Sequence, residues 1–252
     1  MRPLNVKRYK QDPSHCSIAA SASLANFSNR KINYQMAKEI CRQDILKETG
    51  GGLWSGQIGL LLNALGFRKV TVISSDLTTF DYSWKKLSKT KLIGKLEKAK
   101  RKRSLGTTIC ANCKSFYQFL SASPKNNVNI DYRFADYIKD ALDSNYPIII
   151  SFNWTMFFEY TKENEKGKKD PFLGDYSEHA VVARGYNKKG VHIVDSHHRF
   201  YKYSRSKYRQ GYYVIPWHEL MTVMGQGDVI IPEEYDEGWE FPYELVQEKV
   251  RA

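Results

Sequence analysis

An α+β fold is predicted for this chain, and two observations predict it. Helical periodicity prevails in the N-terminal part, whereas the strongest strand signals, Ile148–Phe152, Ala180–Arg184 and Val191–Asp195, come later. Helices first and strands later place a helical portion beside a twisted antiparallel sheet. The 252 residues, 42% hydrophobic and 13% aromatic, supply a sizeable core. One domain over residues 1–252 is expected, with a cleft between two subregions.

The elements follow in order. Asp12-Pro13-Ser14 reads as a turn into a helix from His15 to Phe27, with Ser14 as a cap and Cys16, Ala20, Leu24 and Phe27 at helical spacing. Ala19, Ala22 and Ala25 permit close packing on more than one side of that helix. A second helix runs from Tyr34 to Lys47 and stops before Gly50-Gly51-Gly52. Ser55 caps a third that reaches Leu65, with Gly66 as its stop, and Phe67–Ser74 is a strand. Phe134, Ile138 and Leu142 are four apart on a later helix that ends at Asn145, before the strand Ile148–Phe152. A polar loop, Thr161–Lys169, precedes the strands 180–184 and 191–195, which are joined through Gly185–Gly190. Further strands are expected at Phe200–Tyr203 and Tyr212–Ile215.

Charge and cysteine usage narrow the function classes. The net charge of +12 favours an acidic partner without establishing a nucleic acid. Ten basic residues and one acid, Glu97, lie between Lys85 and Arg103, read as a surface insertion at 85–103. A second basic patch, 198–209, interleaves Arg199, Lys202, Arg205, Lys207 and Arg209 with Phe200, Tyr201, Tyr203 and Tyr208. It reads either as a phosphate-tracking, base-stacking surface or as a strand pair with tyrosines beneath basic side chains. The tail at 232–252 is acidic at its start and is placed to cover a basic face of its own domain. No run reaches membrane-spanning length, and the first residues lack a secretory apolar stretch, so a cytoplasmic protein is expected. Cys110-Ala111-Asn112-Cys113 has redox or half-zinc spacing but no second half, and ordinary thiols fit as well. No metal and no cofactor are called for.

Four residues carry the chemistry. Cys16 falls in the first turn of its helix, where backbone N–H groups favour a thiolate. His179 lies in Glu178-His179-Ala180-Val181-Val182, and Asp195 closes Val191-His192-Ile193-Val194-Asp195. With the connection centred near residue 187, His179 stands opposite Asp195, on the same face of an antiparallel pair. Asp195 then holds one imidazole nitrogen while the other faces Cys16. Gln11, five positions before the cysteine, offers a side-chain amide to an oxyanion, together with the Cys16 backbone N–H. Trp54 and Trp154 either line the cleft as substrate-binding side chains or pack in the core. Phe116, Tyr117 and Phe119 form either a substrate-facing cluster or a packing unit.

Gln11-Asp12-Pro13-Ser14-His15-Cys16-Ser17-Ile18-Ala19-Ala20, Glu178–Tyr186 and Gly190–Ser196 resemble the papain-like cysteine peptidases, most of all the branch of bacteriocin-leader-processing peptidases. The family commonly has Asp-Cys-Gly where this chain has His15-Cys16-Ser17. The resemblance implies a papain-like fold, with Gln11 in the oxyanion hole, Cys16 as nucleophile, His179 as base and Asp195 as its orienter. It implies a thiol hydrolase acting on a peptide or protein amide. A thiol acyltransferase with the same residues, a nucleic-acid-binding module and a non-catalytic interaction protein are the alternatives.

Overall fold

The computed structural model describes residues 2–44, 52–164, 168–197, 211–225 and 227–241. The basic patch 198–209, the strand expected at Phe200–Tyr203 and the tail beyond Phe241 lie outside the described residues. Eight helices and seven strands are described: α1 Cys16–Ser28, α2 Tyr34–Asp44, α3 Ser55–Ala64, β1 Phe67–Ser74, α4 Lys89–Ala99, α5 Thr107–Ala122, β2 Asn127–Ile130, α6 Phe134–Asp143, β3 Ile148–Asn153, α7 Trp154–Phe157, β4 Glu178–Asn187, β5 Gly190–Val194, β6 Tyr212–Pro216, α8 Trp217–Val223 and β7 Asp228–Tyr235.

The strands form one sheet in the order β2-β1-β7-β3-β4-β5-β6. It is antiparallel except between β1 and β2, which run parallel. The two-residue alternation of each strand divides its side chains between two cores. Val72, Ile149, Ala180 and Val194 face the helices α1 to α5, while Ile73, Ile150, Val181 and Ile193 face α6 and α8. Each valine or isoleucine among them, removed from water, contributes roughly 1.5–3 kcal/mol.

Helix α1 is the central element. Every residue from Ser17 to Asn26 is buried, which suits a run of alanines and serines small enough to be packed on all sides. Helix α3 approaches α5 closely at Gly56, where a Cβ would stand 2.5 Å from the Ser115 carbonyl carbon.

Several expectations shift in detail. Ser14 does not cap α1: it holds φ +61° inside the turn, and His15 takes the cap position. Ser55 is the first helical residue after Trp54, and its hydroxyl is turned to Asp228 instead. Strand β4 extends to Asn187 and β5 starts at Gly190, so the long connection expected at 185–190 is a two-residue turn. Residues 232–235 of the segment read as the start of an acidic tail are the second half of β7 and pair with β1, while Val229 and Ile230 before them pair with β3. The segment's acids do meet bases of the same chain: Glu233 pairs with Lys69 at 3.0 Å, Glu234 with Lys125 at 2.5 Å, and Asp236 with Arg68 at 2.7 Å.

The 85–103 segment is a short 3-10 turn, Tyr82–Lys86, followed by α4. Leu92 and Leu96 are buried, and Lys86, Lys91 and Lys98 are exposed. Cys110 and Cys113 share α5. Cys113 is buried in the core, and Cys110 Sγ contacts the Ala99 and Lys102 carbonyls. Phe116 and Phe119 are core residues, which makes their cluster a packing unit.

Candidate active site

One end of the sheet gathers the chemistry. Strands β1, β2 and β3 finish there, and β4 and β7 begin there. Ser74 pairs with Asp228 and Asn153 with Glu178, and Asp195 follows β5 at the same end. The N-terminus of α1 reaches this end against β4.

The turn before α1 is held from α2. Tyr34 Oη accepts the Asp12 backbone N–H at 3.1 Å and lies 3.2 Å from His15 Nδ1, while Lys38 pairs with Asp12 at 2.5 Å. This sets Cys16 as the first residue of the helix, where the unpaired N–H groups and the helix dipole favour negative charge. Cys16 keeps part of its surface open. Burial of its sulfur opposes ionisation, but a hydrogen bond from His179 and the imidazolium charge outweigh it. The Ala180 and Ser17 N–H groups add to the effect, and the thiol is held below its ordinary value.

His179 is 5% exposed and Asp195 fully buried. His179 Nε2 stands 2.8 Å from Asp195 Oδ1. Burial disfavours the charged imidazole, yet the Asp195 charge and hydrogen bond, and then Cys16, raise its pKa well above the usual histidine value. The two shifts agree in sense: each favours a thiolate beside an imidazolium.

The register that joins His179 to Asp195 differs from the one expected. Val182 pairs with Val194, so Asp195 stands across from Val181 rather than His179, and an irregularity follows at Ala183–Gly185. The displacement is two residues. An even displacement keeps both side chains on one face, and the hydrogen bond forms diagonally.

Gln11 is buried, its backbone N–H donating to the Ser196 carbonyl at 3.1 Å and its Oε1 accepting from Ser196 Oγ at 2.7 Å. Holding the oxygen fixes the amide plane and turns the NH2 donor away from Ser196. Trp154 lies on His179, ring centroids 4.4 Å apart, and on His197 at 4.7 Å. That indole limits the access of water to the imidazole and its ionic hydrogen bond. Trp54 is half-buried at the start of α3, where its backbone N–H donates to Gln57. Among the described residues no ring contact joins Trp54 to Cys16 or His179.

Three supporting residues escaped sequence reasoning. Tyr213 Oη donates to Asp195 Oδ2 at 2.6 Å, and the His197 N–H donates to Oδ1 at 2.9 Å, so both carboxylate oxygens are engaged. Arg8 donates to the Asp195 carbonyl at 2.6 Å and to the His197 carbonyl at 2.8 Å, clasping the N-terminal segment to this turn. Only Tyr213 left a trace in the sequence, as an inward position on an alternating strand.

Beyond His179 the sheet end turns acidic. Burial pushes Asp228 up to about 6, against hydrogen bonds from Ser55 and Ser74. Glu178 keeps exposed surface as a residue, but the packing around its carboxyl and the charges of Asp228 and Asp76 push it up to about 7. Among the described residues no cluster of His, Cys, Asp and Glu is arranged to hold a metal ion, and no helix is long and apolar enough to cross a membrane.

Comparison with known proteins gives the family of the chain. A solved structure from Bacillus anthracis, assigned to the C39-like peptidases, is 14% identical, covering 92% of this chain and 96% of its own, with a TM-score of 0.44. No curated protein matches the chain. The model of the peptidase C39-like family matches residues 3–220, a span that includes Cys16, His179 and Asp195. The α+β architecture is papain-like, and the chain belongs to the peptidase C39-like family of cysteine peptidases.

Proposed function

We propose that this protein is a cysteine peptidase that cleaves a peptide or protein amide through a thioester on Cys16. The observation that carries the reading is the buried His179–Asp195 hydrogen bond at 2.8 Å beside Cys16 at a helix N-terminus, with Cys16 and His179 close enough to shift each other's pKa. In this reading the Cys16 thiolate attacks the scissile carbonyl carbon. The oxyanion is held by the Gln11 amide and the Cys16 backbone N–H. The tetrahedral intermediate collapses as His179 gives its proton to the leaving nitrogen, which departs as an amine. Water then gives a proton to His179 and attacks the thioester, releasing the carboxylic acid and restoring the thiolate. Asp195 stays ionised throughout and fixes the ring, while Tyr213 and the His197 N–H fix Asp195.

The test is incubation with a mixture of unstructured peptides, followed by mass analysis of products for the wild type and Cys16→Ala. Product pairs whose masses sum to substrate plus one water, absent with Cys16→Ala, support hydrolysis. Equal product formation by both proteins would refute it, and amide-exchanged products without free acid would indicate acyl transfer.

A further inference from the structure

The acid at the sheet end has no basic side chain set against it. Glu178 directly precedes His179, and Asp228 faces the end of β1. Asp228 is 8% exposed: its carboxylate is engaged by the Ser55 hydroxyl at Oδ2 and by Ser74, both neutral donors, and Oδ1 is buried without a hydrogen-bond partner of ordinary geometry among the described residues. Asp76 is engaged by Thr78, Thr79 and Asn112, all neutral donors. No lysine or arginine pairs with Glu178, Asp228 or Asp76 among the described residues, in a chain with 39 basic residues. An uncompensated buried carboxylate costs folding free energy, and a cation arriving from outside removes that cost.

A cavity of about 120 Å³ opens here, its wall including Asn153, Met156, Tyr176, Glu178, Thr222 and Gly227. The space equals about four waters, enough for one unbranched side chain. Its chemistry is mixed: the Met156 thioether and Tyr176 ring are apolar and the Glu178 carboxyl is acidic, with Asp228 outside the wall but close enough for its charge to act on Glu178. An aliphatic stem ending in a cation matches both parts. Glu178 is one residue from His179, hence about 3.8 Å away along the backbone. The residue that carries the imidazole and a residue of the cavity wall are thus consecutive on β4, which in the peptidase reading puts the cavity within reach of a substrate held at Cys16.

We propose that this cavity is a specificity subsite for a lysine or arginine side chain of the substrate, with Glu178 as its charged contact and Asp228 as the charge behind it. The inference rests on the peptidase reading, and its test separates the two. Protein NMR titrations of Cys16→Ala would use Nα-acetyl-lysine amide and the uncharged Nα-acetyl-norleucine amide. The lysine probe is expected to bind about tenfold more tightly, with shifts centred on Tyr176, Glu178 and Gly227. Glu178→Gln in the same background abolishes that preference, whereas Glu97→Gln on α4 keeps it. Equal binding of the two probes, or a preference that survives Glu178→Gln, would overturn the proposal. So would displacement of the lysine probe by calcium chloride at the same residues, which assigns the cavity to a metal ion. A second arm sorts the cleaved peptides by sequence: enrichment of lysine and arginine beside the cleaved bond, reduced by Glu178→Gln, supports the subsite. A lysine preference in binding with no Cys16-dependent cleavage would refute the peptidase reading and leave the cation site standing.

Discussion

Replacing Asp195 by asparagine removes a charge while nearly preserving shape, and its consequence can be worked from three hydrogen bonds. Oδ1 accepts from His179 at 2.8 Å and from the His197 N–H at 2.9 Å, and Oδ2 accepts from Tyr213 at 2.6 Å. A carboxamide keeps only one acceptor oxygen, so its NH2 must face one of these donors. A hydrogen bond to a charged group has a net worth of about 1.5–3 kcal/mol, against about 1 kcal/mol for a neutral one. Losing the charged character of the His179 and Tyr213 bonds costs about 2–3 kcal/mol, and the imidazolium form of His179 bears most of it. That imidazolium keeps Cys16 ionised. At about 1.4 kcal/mol per factor of ten, alkylation of Cys16 slows by roughly 30- to 150-fold at neutral pH. The assay is the rate of iodoacetamide addition followed by intact mass, with circular dichroism confirming a folded variant. The rising limb of the rate–pH curve also moves upward, because Cys16 loses the partner that holds its pKa below the ordinary value. A folded Asp195→Asn protein that reacts within about threefold of the wild type would refute the electrostatic reasoning.

Three further outcomes are expected. Gln11→Ala lowers peptide turnover by roughly 100- to 1,000-fold, the range for one oxyanion donor, while iodoacetamide labelling of Cys16 is little changed; parallel loss of both would mean that Gln11 serves the fold. Gly56→Ala drives a Cβ into the Ser115 backbone and destabilises by about 1–3 kcal/mol, read as a lower denaturation midpoint; an unchanged midpoint would contradict the close approach. Asp228 titrates at about 6 in the folded protein, against 3.8 as its ordinary value. A raised carboxyl pKa means that stability is greatest below the unfolded value and is lost as pH rises through the folded one. The loss is about 3 kcal/mol, and Asp228→Asn is expected to remove that component of the pH dependence in urea midpoints from about pH 4 to about pH 7; identical pH slopes in the two proteins would oppose it.

What could be read from the sequence follows from how local each cause is. Strand β1 was placed to the residue, because Phe67–Ser74 is a continuous β-rich run behind a glycine stop. Helix α1 was placed within a residue, since a turn leads into it and small side chains recur through it. The His179–Asp195 partnership was found by parity, although the register was displaced by two. Strand length and the irregularity at Ala183–Gly185 depend on packing rather than on local composition. Strand β7 was missed because Pro232, Glu233 and Glu234 read as tail, and only the basic side chains of β1 and Lys125 make them strand-compatible. Tyr213 and Ser196 support the site from nearby in space: strand alternation marks Tyr213 only as an inward position, and nothing local announces Ser196.

The most direct test of the central claim is trapping the acyl-enzyme. A peptide found to be cleaved is mixed with protein, quenched in acid within milliseconds, and the protein mass is read with the adduct mapped by fragmentation. The account predicts an added mass equal to the N-terminal product minus one water, confined to Cys16, accumulating before free acid in wild type and absent in Cys16→Ala. Cleavage that proceeds with no adduct on Cys16, or with the adduct on another cysteine, would contradict it.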